Sequence, residues 1–209
     1  MGNPRDYCYA EFVPWQNSNL VFRLDTRIYL HDEPLIERTG GDCIAAIVAK
    51  NPGSARNDTY YRWEPVDLAS DSMIPIVKKW FCEAFRESGK KMQPGHYVIV
   101  WNLFYLCNKT LGQAKKQYRD IPQPPVCLSE KSVSPRIVWF AWGGSDSELN
   151  SLKQRFIQQS YSEPFFYDYG SKRIQSRVPS ETCKAKHTQG MLKSDVVRHL
   201  ANILGSTAN

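Results

Sequence analysis

Three short apolar runs, each ended by a polar or glycine-containing loop, constrain the fold of this chain more than any other feature. They are Cys43–Ala49 and residues 97–103 and 136–142. Each run is too short for a buried helix and carries the β-branched residues that suit the centre of a sheet. A segment with helical spacing separates the first two runs and two more follow the third, so we predict an alternating α/β chain with mostly parallel strands.

Apolar residues recur at helical spacing in three segments. The first segment begins at about Asp71, and the other two are residues 147–159 and 192–204. Residues 164–169 are predicted to form a fourth strand. Residues 19–31 alternate loosely as a strand or hairpin, and residues 54–70 form a long loop. We predict a three-layer α/β/α sandwich with a mostly parallel four-stranded central sheet. Residues 1–209 form one domain in this interpretation, with an N-terminal extension over about residues 1–40.

Composition excludes several classes of protein. No apolar stretch in the 209 residues is long enough to cross a bilayer, and the first residues lack an apolar signal core. We therefore expect a cytoplasmic protein without membrane contact. The six cysteines show neither a C-x-x-C pair nor a zinc-like Cys/His spacing, so we expect free thiols, no metal and no cofactor.

The net charge of +6 is concentrated in two segments. Residues 107–119 contain four bases and no acid, and residues 172–198 contain seven bases against Glu181 and Asp195. Both segments follow or contain loops at the predicted site. A polyanionic partner is the leading interpretation, most simply nucleic acid and DNA in particular, and solvated basic loops are the alternative.

Polar residues follow the predicted strands at one edge of the sheet. Asn51 to Ser54 follow the first run, Asn102 ends the second, and Lys186-His187 lie near the end of the chain. Open parallel sheets bind ligands at the carboxyl ends of their strands, so we expect these loops to share a pocket.

This order of motifs resembles the uracil-DNA glycosylase superfamily. Asn51-Pro52-Gly53 is similar to the Gly-Ile-Asn-Pro-Gly loop of the mismatch-specific branch, and Val100-Trp101-Asn102 to the strand that ends in a base-reading Asn. The segment VWFAWG at 138–143 resembles the "LLWG" strand, and Lys186-His187-Thr188 falls where His-Pro-Ser is expected.

The chain resembles more closely an uncharacterised family of bacterial and phage domains of unknown function. The pattern of that family is an Arg-rich start, "LNPSTA", an Asp-Pro-Thr helix start, "VVNLF", "AWG" and "PKHPLY". The matching residues here are Phe22-Arg23-Leu24, Asn51 to Ala55, Asp71-Ser72-Met73, Trp101 to Phe104, Ala141-Trp142-Gly143 and Lys186-His187.

The resemblance implies a DNA glycosylase-like hydrolase that flips a base, in DNA repair or modification. Asn51 would position a water, His187 would donate a hydrogen bond to the leaving base, and Asn102 would read the base edge. The other substrate-binding candidates are Phe104, Tyr60 and Tyr61 as stacking partners, Pro52, Gly53 and Ser54 as a phosphate cradle, and Lys186 beside His187.

The chain departs from the glycosylase pattern at three points. Lys50 replaces a small or apolar residue, Thr188-Gln189 replace Pro-Ser or Pro-Leu after the histidine, and Asn51 stands where the most active branch has a water-activating acid.

Three functions therefore stay open at this stage. The first is a glycosylase-type enzyme acting on a uracil-like or modified base. The second is a non-catalytic module that binds nucleic acid or a nucleotide, and the third is an enzyme acting on a small nucleotide or sugar phosphate. Structural roles compete at single positions: Asn51 as a turn cap, Asn102 as a loop anchor, His187 as a structural or solvated histidine and Asp71 as a helix or turn cap.

Overall fold

A computed structural model describes residues 7–16, 18–31, 40–54, 63–69 and 71–206. Within these ranges the chain forms one mixed sheet of eight strands in the order β4-β1-β2-β5-β3-β6-β7-β8. The strands are β1 Cys8–Pro14, β2 Val21–Tyr29, β3 Cys43–Ala49, β4 Trp63–Pro65, β5 Tyr97–Asn102, β6 Ile137–Phe140, β7 Glu163–Asp168 and β8 Arg173–Gln175.

The four predicted strands form the parallel centre of this sheet. β5 pairs with β3, β3 with β6, and β6 with β7, all in parallel. The prediction of a four-stranded sheet is wrong, because antiparallel strands extend both sides of this centre. β2 pairs with β5 and carries β1 and β4 beyond it, and β8 pairs with β7. β1 and β2 lie within the predicted N-terminal extension.

Helices cover both faces of the sheet. Two core clusters alternate along the strands, as the two-residue period of a strand requires. One cluster packs under α1 Met73–Ser88 and α5 Lys193–Gly205, which defines the α1/α5 face. The other packs under the helices of the α2/α4 face: α2 Leu111–Arg119, α3 Ser129–Ser132 and α4 Asn150–Ile157, the last preceded by a 3-10 turn at Ser147–Leu149.

Helix α1 begins at the carboxyl edge of the sheet, and its local sequence explains why. The Asp71 Oδ1 accepts hydrogen bonds from the backbone N–H groups of Met73 and Ile74, at 2.9 and 3.0 Å. It thus caps two donors that have no partner inside the helix. Ile74, Val77, Phe81, Ala84 and Phe85, the predicted inward positions, are all buried.

Two predictions from composition can be compared with the described residues. All six cysteines are free thiols. None of the described helices is long and apolar enough to cross a bilayer.

Candidate functional site

The structure brings the predicted Asn51 loop and His187 together in one open cleft of about 230 Å³. The cleft lies beyond the carboxyl end of β3, against the first turn of α1. We call it the Asn51 cleft; it is lined by Arg23, Asn51, Pro52, Gly53, Ser54, Asp71, Ser72, Met73 and His187. Residues more than 130 positions apart in the chain therefore share this pocket, whereas Asn102, which we expected to join them, is not among its lining residues.

Within the described part of the chain, the side-chain amide of Asn51 makes a hydrogen bond through its nitrogen only. Its Nδ2 donates to the carbonyl oxygen of Asn108, at 3.3 Å. Asn108 in turn accepts from the Thr110 N–H at the start of α2, so this bond ties the loop after β3 to the loop after β5. Among the described residues the Asn51 Oδ1 has no partner, which leaves one acceptor for a ligand or a water.

Arg23 and Asp71 place two opposite charges at the wall of the cleft. Arg23 enters from β2 and its side chain is only 1% exposed. Its Nη1 lies 3.9 Å from the Asp71 Oδ2, which is longer than a hydrogen bond. Since Asp71 Oδ1 already caps α1, this carboxylate supports the helix and the guanidinium.

Hydrogen bonds hold the histidine loop, residues 185–190, on both sides of His187. The Gly143 N–H donates to the carbonyl oxygen of Ala185, at 2.6 Å. The Gln189 Nε2 donates to the Ser72 Oγ at 2.8 Å, which joins the loop to the start of α1. Thr188 is buried, and its Oγ1 lies 3.3 Å from the His187 Nδ1. Thr188 and Gln189, the departures from the family pattern, thus fix the imidazole in the cleft.

The electrostatic surroundings keep His187 neutral. Burial lowers the pKa of His187, and the Lys50 charge lowers it further, while Asp71 opposes both. A neutral imidazole carries one N–H donor and one acceptor nitrogen. His187 can therefore donate a hydrogen bond to an oxygen in the cleft without carrying a charge of its own.

Asn102 lies below the cleft and does not line it. It ends β5 in register with Ala49, and strand alternation puts its side chain on the α1/α5 face with Val100. Asn102 is 1% exposed, and among the described residues its Nδ2 has no hydrogen-bond partner. The buried Thr26 Oγ1, on the adjacent strand β2, also lacks one. Unpaired buried donors are costly, so Asn102 Nδ2 is an unsatisfied group of the core and not a lining residue of the cleft.

The remaining predicted residues lie elsewhere. Phe104 lines a second cleft on the α2/α4 face, where its ring packs against Tyr118. The Lys186 Nζ donates to the carbonyl oxygen of Gly190 at 2.6 Å and closes the histidine loop. Tyr60 and Tyr61 fall outside the described residues.

The Asn51 cleft combines a donor and an acceptor. The His187 imidazole can donate, the Asn51 Oδ1 can accept, and the lining carboxylate of Asp71 already caps α1. Such a cleft suits a ligand that carries both carbonyl oxygens and N–H groups. No group of three or more metal-ligating side chains occurs among the described residues.

Arg23 is the lining residue to which the sequence assigned no role. It was noted only as part of a family pattern, although a charged residue between Phe22 and Leu24 in an apolar strand is itself a signal. Lys, Arg, Asp and Glu are almost never fully buried unless paired, so such a position predicts a buried partner. Asp71 is that partner.

The protein-family models, the curated proteins and the solved structures contain no match to this chain.

Proposed function

We propose that this protein is a DNA-binding protein of the uracil-DNA glycosylase type that takes one base into the Asn51 cleft. The observation that carries the proposal is the convergence of the Asn51–Ser54 loop and His187 on one polar cleft at the carboxyl ends of parallel strands. A uracil-like base carries both carbonyl oxygens and N–H groups, which match the His187 donor and the Asn51 acceptor.

The proposed reaction hydrolyses the bond between the base and its sugar. Water adds to the sugar carbon as the glycosidic bond breaks, the base leaves with the bonding electron pair, and the proton that the water loses passes to solvent, from which the base anion is protonated. The His187 N–H stabilises the negative charge that develops on a base oxygen. Asn51 Oδ1 orients the attacking water, because the bond from Nδ2 to Asn108 fixes the direction of the amide.

A specific observation favours binding without cleavage as the second candidate. Among the described residues the carboxylate that lines the Asn51 cleft is Asp71, and its Oδ1 already accepts two backbone N–H groups. An amide is a weak general base, so Asn51 would give slow turnover. A protein with this cleft can therefore hold a flipped base and release it intact.

Base excision separates the two candidates. The protein is incubated with single-stranded and duplex oligonucleotides that carry uracil, hydroxymethyluracil or a mismatch, and abasic sites are then cleaved with alkali. Excision that is lost in His187→Ala and retained in His96→Ala supports the enzyme. His96 is the matched control because burial lowers its pKa too, while it lies at the opposite edge of the sheet.

Asn51→Asp is the sharper variant, because it replaces a weak base by a carboxylate that can take a proton from water. Glycosylase chemistry predicts faster excision in this variant. Binding alone predicts salt-sensitive affinity without abasic sites, and weaker affinity in Asn51→Asp because the new charge repels phosphates. Failure to bind any polynucleotide at low salt would favour an enzyme on a small nucleotide or sugar phosphate.

A further inference from the structure

Lys50 lies at the carboxyl end of β3, directly before Asn51, and its side chain is half-buried. Among the described residues its ammonium makes no hydrogen bond and no ion pair. Burial lowers the pKa of Lys50, which Asp146 opposes. An ammonium that is partly desolvated without a direct partner costs free energy that a bound anion would recover.

The neighbouring lysines differ from Lys50 in this respect. The Lys115 Nζ contacts Asp146 at 3.0 Å and Glu148 at 2.7 Å. The buried Lys153 Nζ donates to three oxygens, one of them the carbonyl of Asp146. The Asp146 carboxylate, the acid that acts on Lys50, is therefore already paired with Lys115.

Lys50 adjoins one lining residue of each of two clefts at this edge of the sheet. Asn51, the next residue in the chain, lines the Asn51 cleft, and Phe104, whose N–H donates to the Lys50 carbonyl oxygen at 3.3 Å, lines a second cleft. The Lys50 charge also lowers the pKa of His187. A Cβ placed on Gly143 would lie 3.8 Å from the Lys50 Nζ, so the ammonium rests against a backbone without a side chain.

The second cleft combines aromatic and cationic side chains. We call it the Phe104 cleft; it holds about 230 Å³ and is lined by Phe104, Lys115, Tyr118, Arg119, Ile121, Pro124, Glu148, Leu149, Ser151 and Leu152. Tyr118 is partly exposed there, and Arg119 is exposed. Arg119 makes no ion pair with any described residue. A partly exposed ring beside a free guanidinium suits a nucleoside with its phosphate.

We propose that one nucleic-acid strand crosses this edge, with a phosphodiester on Lys50, one nucleotide in the Asn51 cleft and the adjacent nucleotide over the Phe104 cleft. The identity of the first nucleotide rests on the proposed function. The substrate class that follows is a single-stranded or locally unpaired polynucleotide of at least two nucleotides, and not a free nucleotide.

The test measures binding of a labelled single-stranded tetranucleotide across a series of salt concentrations. Loss of one phosphate contact on a single strand lowers the slope of log K against log salt by about 0.7. We expect this change in Lys50→Met and in Arg119→Met. Lys91→Met is the matched control, because Lys91 is exposed in the loop that precedes β5 at the opposite edge, and its slope should equal that of the wild type.

Ligand length distinguishes a strand path from a local anion site. Tyr118→Ala should weaken tetranucleotide binding about tenfold and leave a mononucleoside monophosphate unaffected, since stacking on an aromatic residue contributes about 1–3 kcal/mol per base. If Lys50→Met loses affinity equally for inorganic phosphate, the mononucleotide and the tetranucleotide, Lys50 is a local anion site and the proposed strand path is wrong. An unchanged salt slope in Lys50→Met would also overturn it.

The same samples report on the proposed function independently. Binding that shows the expected Lys50 effect without base excision supports the strand path and contradicts the glycosylase activity. Excision together with a wild-type salt slope in Lys50→Met supports the activity and contradicts the strand path. Absence of tetranucleotide binding at low salt, in protein that unfolds cooperatively, removes both.

Discussion

Two ion pairs near the carboxyl edge of the sheet differ in their geometry and in what surrounds them. On the α2/α4 face, the Arg155 Nε lies 2.6 Å from the Glu130 Oε2, and Arg155 also donates to the carbonyl oxygens of Asn102 and Leu103. On the α1/α5 face, Arg23 and Asp71 lie 3.9 Å apart beside an open cleft.

The difference separates a pair enclosed by protein from a pair that lines a cleft. Glu130 accepts from Arg155 and also from the Tyr105 hydroxyl, so its oxygens are satisfied within the protein. Asp71 caps α1 with one oxygen, and its other oxygen lies 3.9 Å from the Arg23 Nη1. The first pair contacts the end of β5, and the second forms a charged wall of the Asn51 cleft.

Breaking the satisfied pair should have the largest effect. Arg155→Met removes the partner of a carboxylate whose side chain is 4% exposed, and it leaves two carbonyl oxygens without a donor. We expect the free energy of unfolding to fall by about 3 kcal/mol, the lower end for a buried pair, since Arg155 is itself 24% exposed. Urea denaturation measures this, and a loss below about 1 kcal/mol would contradict the structural role.

Removing the donor from the open cleft should affect activity and leave stability almost unchanged. His187→Ala deletes the group assigned to the charge that develops on the base, and such donors contribute about 100-fold or more to the rate. We expect excision to fall about 100-fold with a wild-type urea midpoint. Equal excision by His187→Ala and His96→Ala would remove His187 from the reaction.

Asp71 both caps α1 and faces Arg23, and a pair of substitutions separates these two roles. Asp71→Ala removes the cap of α1 and the carboxylate beside Arg23, so we expect a loss of about 2 kcal/mol. Asp71→Asn keeps an oxygen that can cap the helix and removes the charge. If Asp71→Asn destabilises the protein as much as Asp71→Ala, the charge near Arg23 outweighs the cap.

The smallest effect concerns pH. Burial lowers the pKa of His96, His187 and His199. As pH falls through about 6.5, the unfolded chain takes up protons that the folded chain does not, so the free energy of unfolding decreases. His187→Gln should flatten part of this slope between about pH 7.5 and about pH 5.5, measured by urea unfolding at each pH. A slope identical to that of the wild type would show that His187 is not buried as described.

Local pattern predicted the parallel centre of the fold and part of the site. β3 coincides with the predicted strand Cys43–Ala49, and β5, β6 and β7 lie within one residue of the predicted runs or inside them. α1 and α5 also lie where helical spacing puts them. Buried parallel strands are continuous apolar runs, so they are the elements of such a sheet that are easiest to predict from sequence.

The edge strands and the second cleft depend on contacts that local pattern does not encode. β4 and β8 have three residues each and exist because β1 and β7 offer them partners. α2 has Ala114 as its one buried residue, so its sequence carries no apolar stripe that would predict a helix. Phe104 was assigned to the base pocket, yet the peptide bonds after β5 turn it to the α2/α4 face, where it packs against Tyr118. A turn of one residue decides which face a side chain occupies.

We propose that a base binds in the cleft formed by the Asn51 loop and His187. A titration of ¹⁵N-histidine-labelled protein with a single-stranded trinucleotide that carries a central deoxyuridine tests this binding, with His96 and His199 as internal controls. We expect the ring nitrogen signals of His187 to shift in step with binding while those of His96 and His199 stay in place. Saturated binding that leaves the His187 signals unmoved would show that the base binds elsewhere.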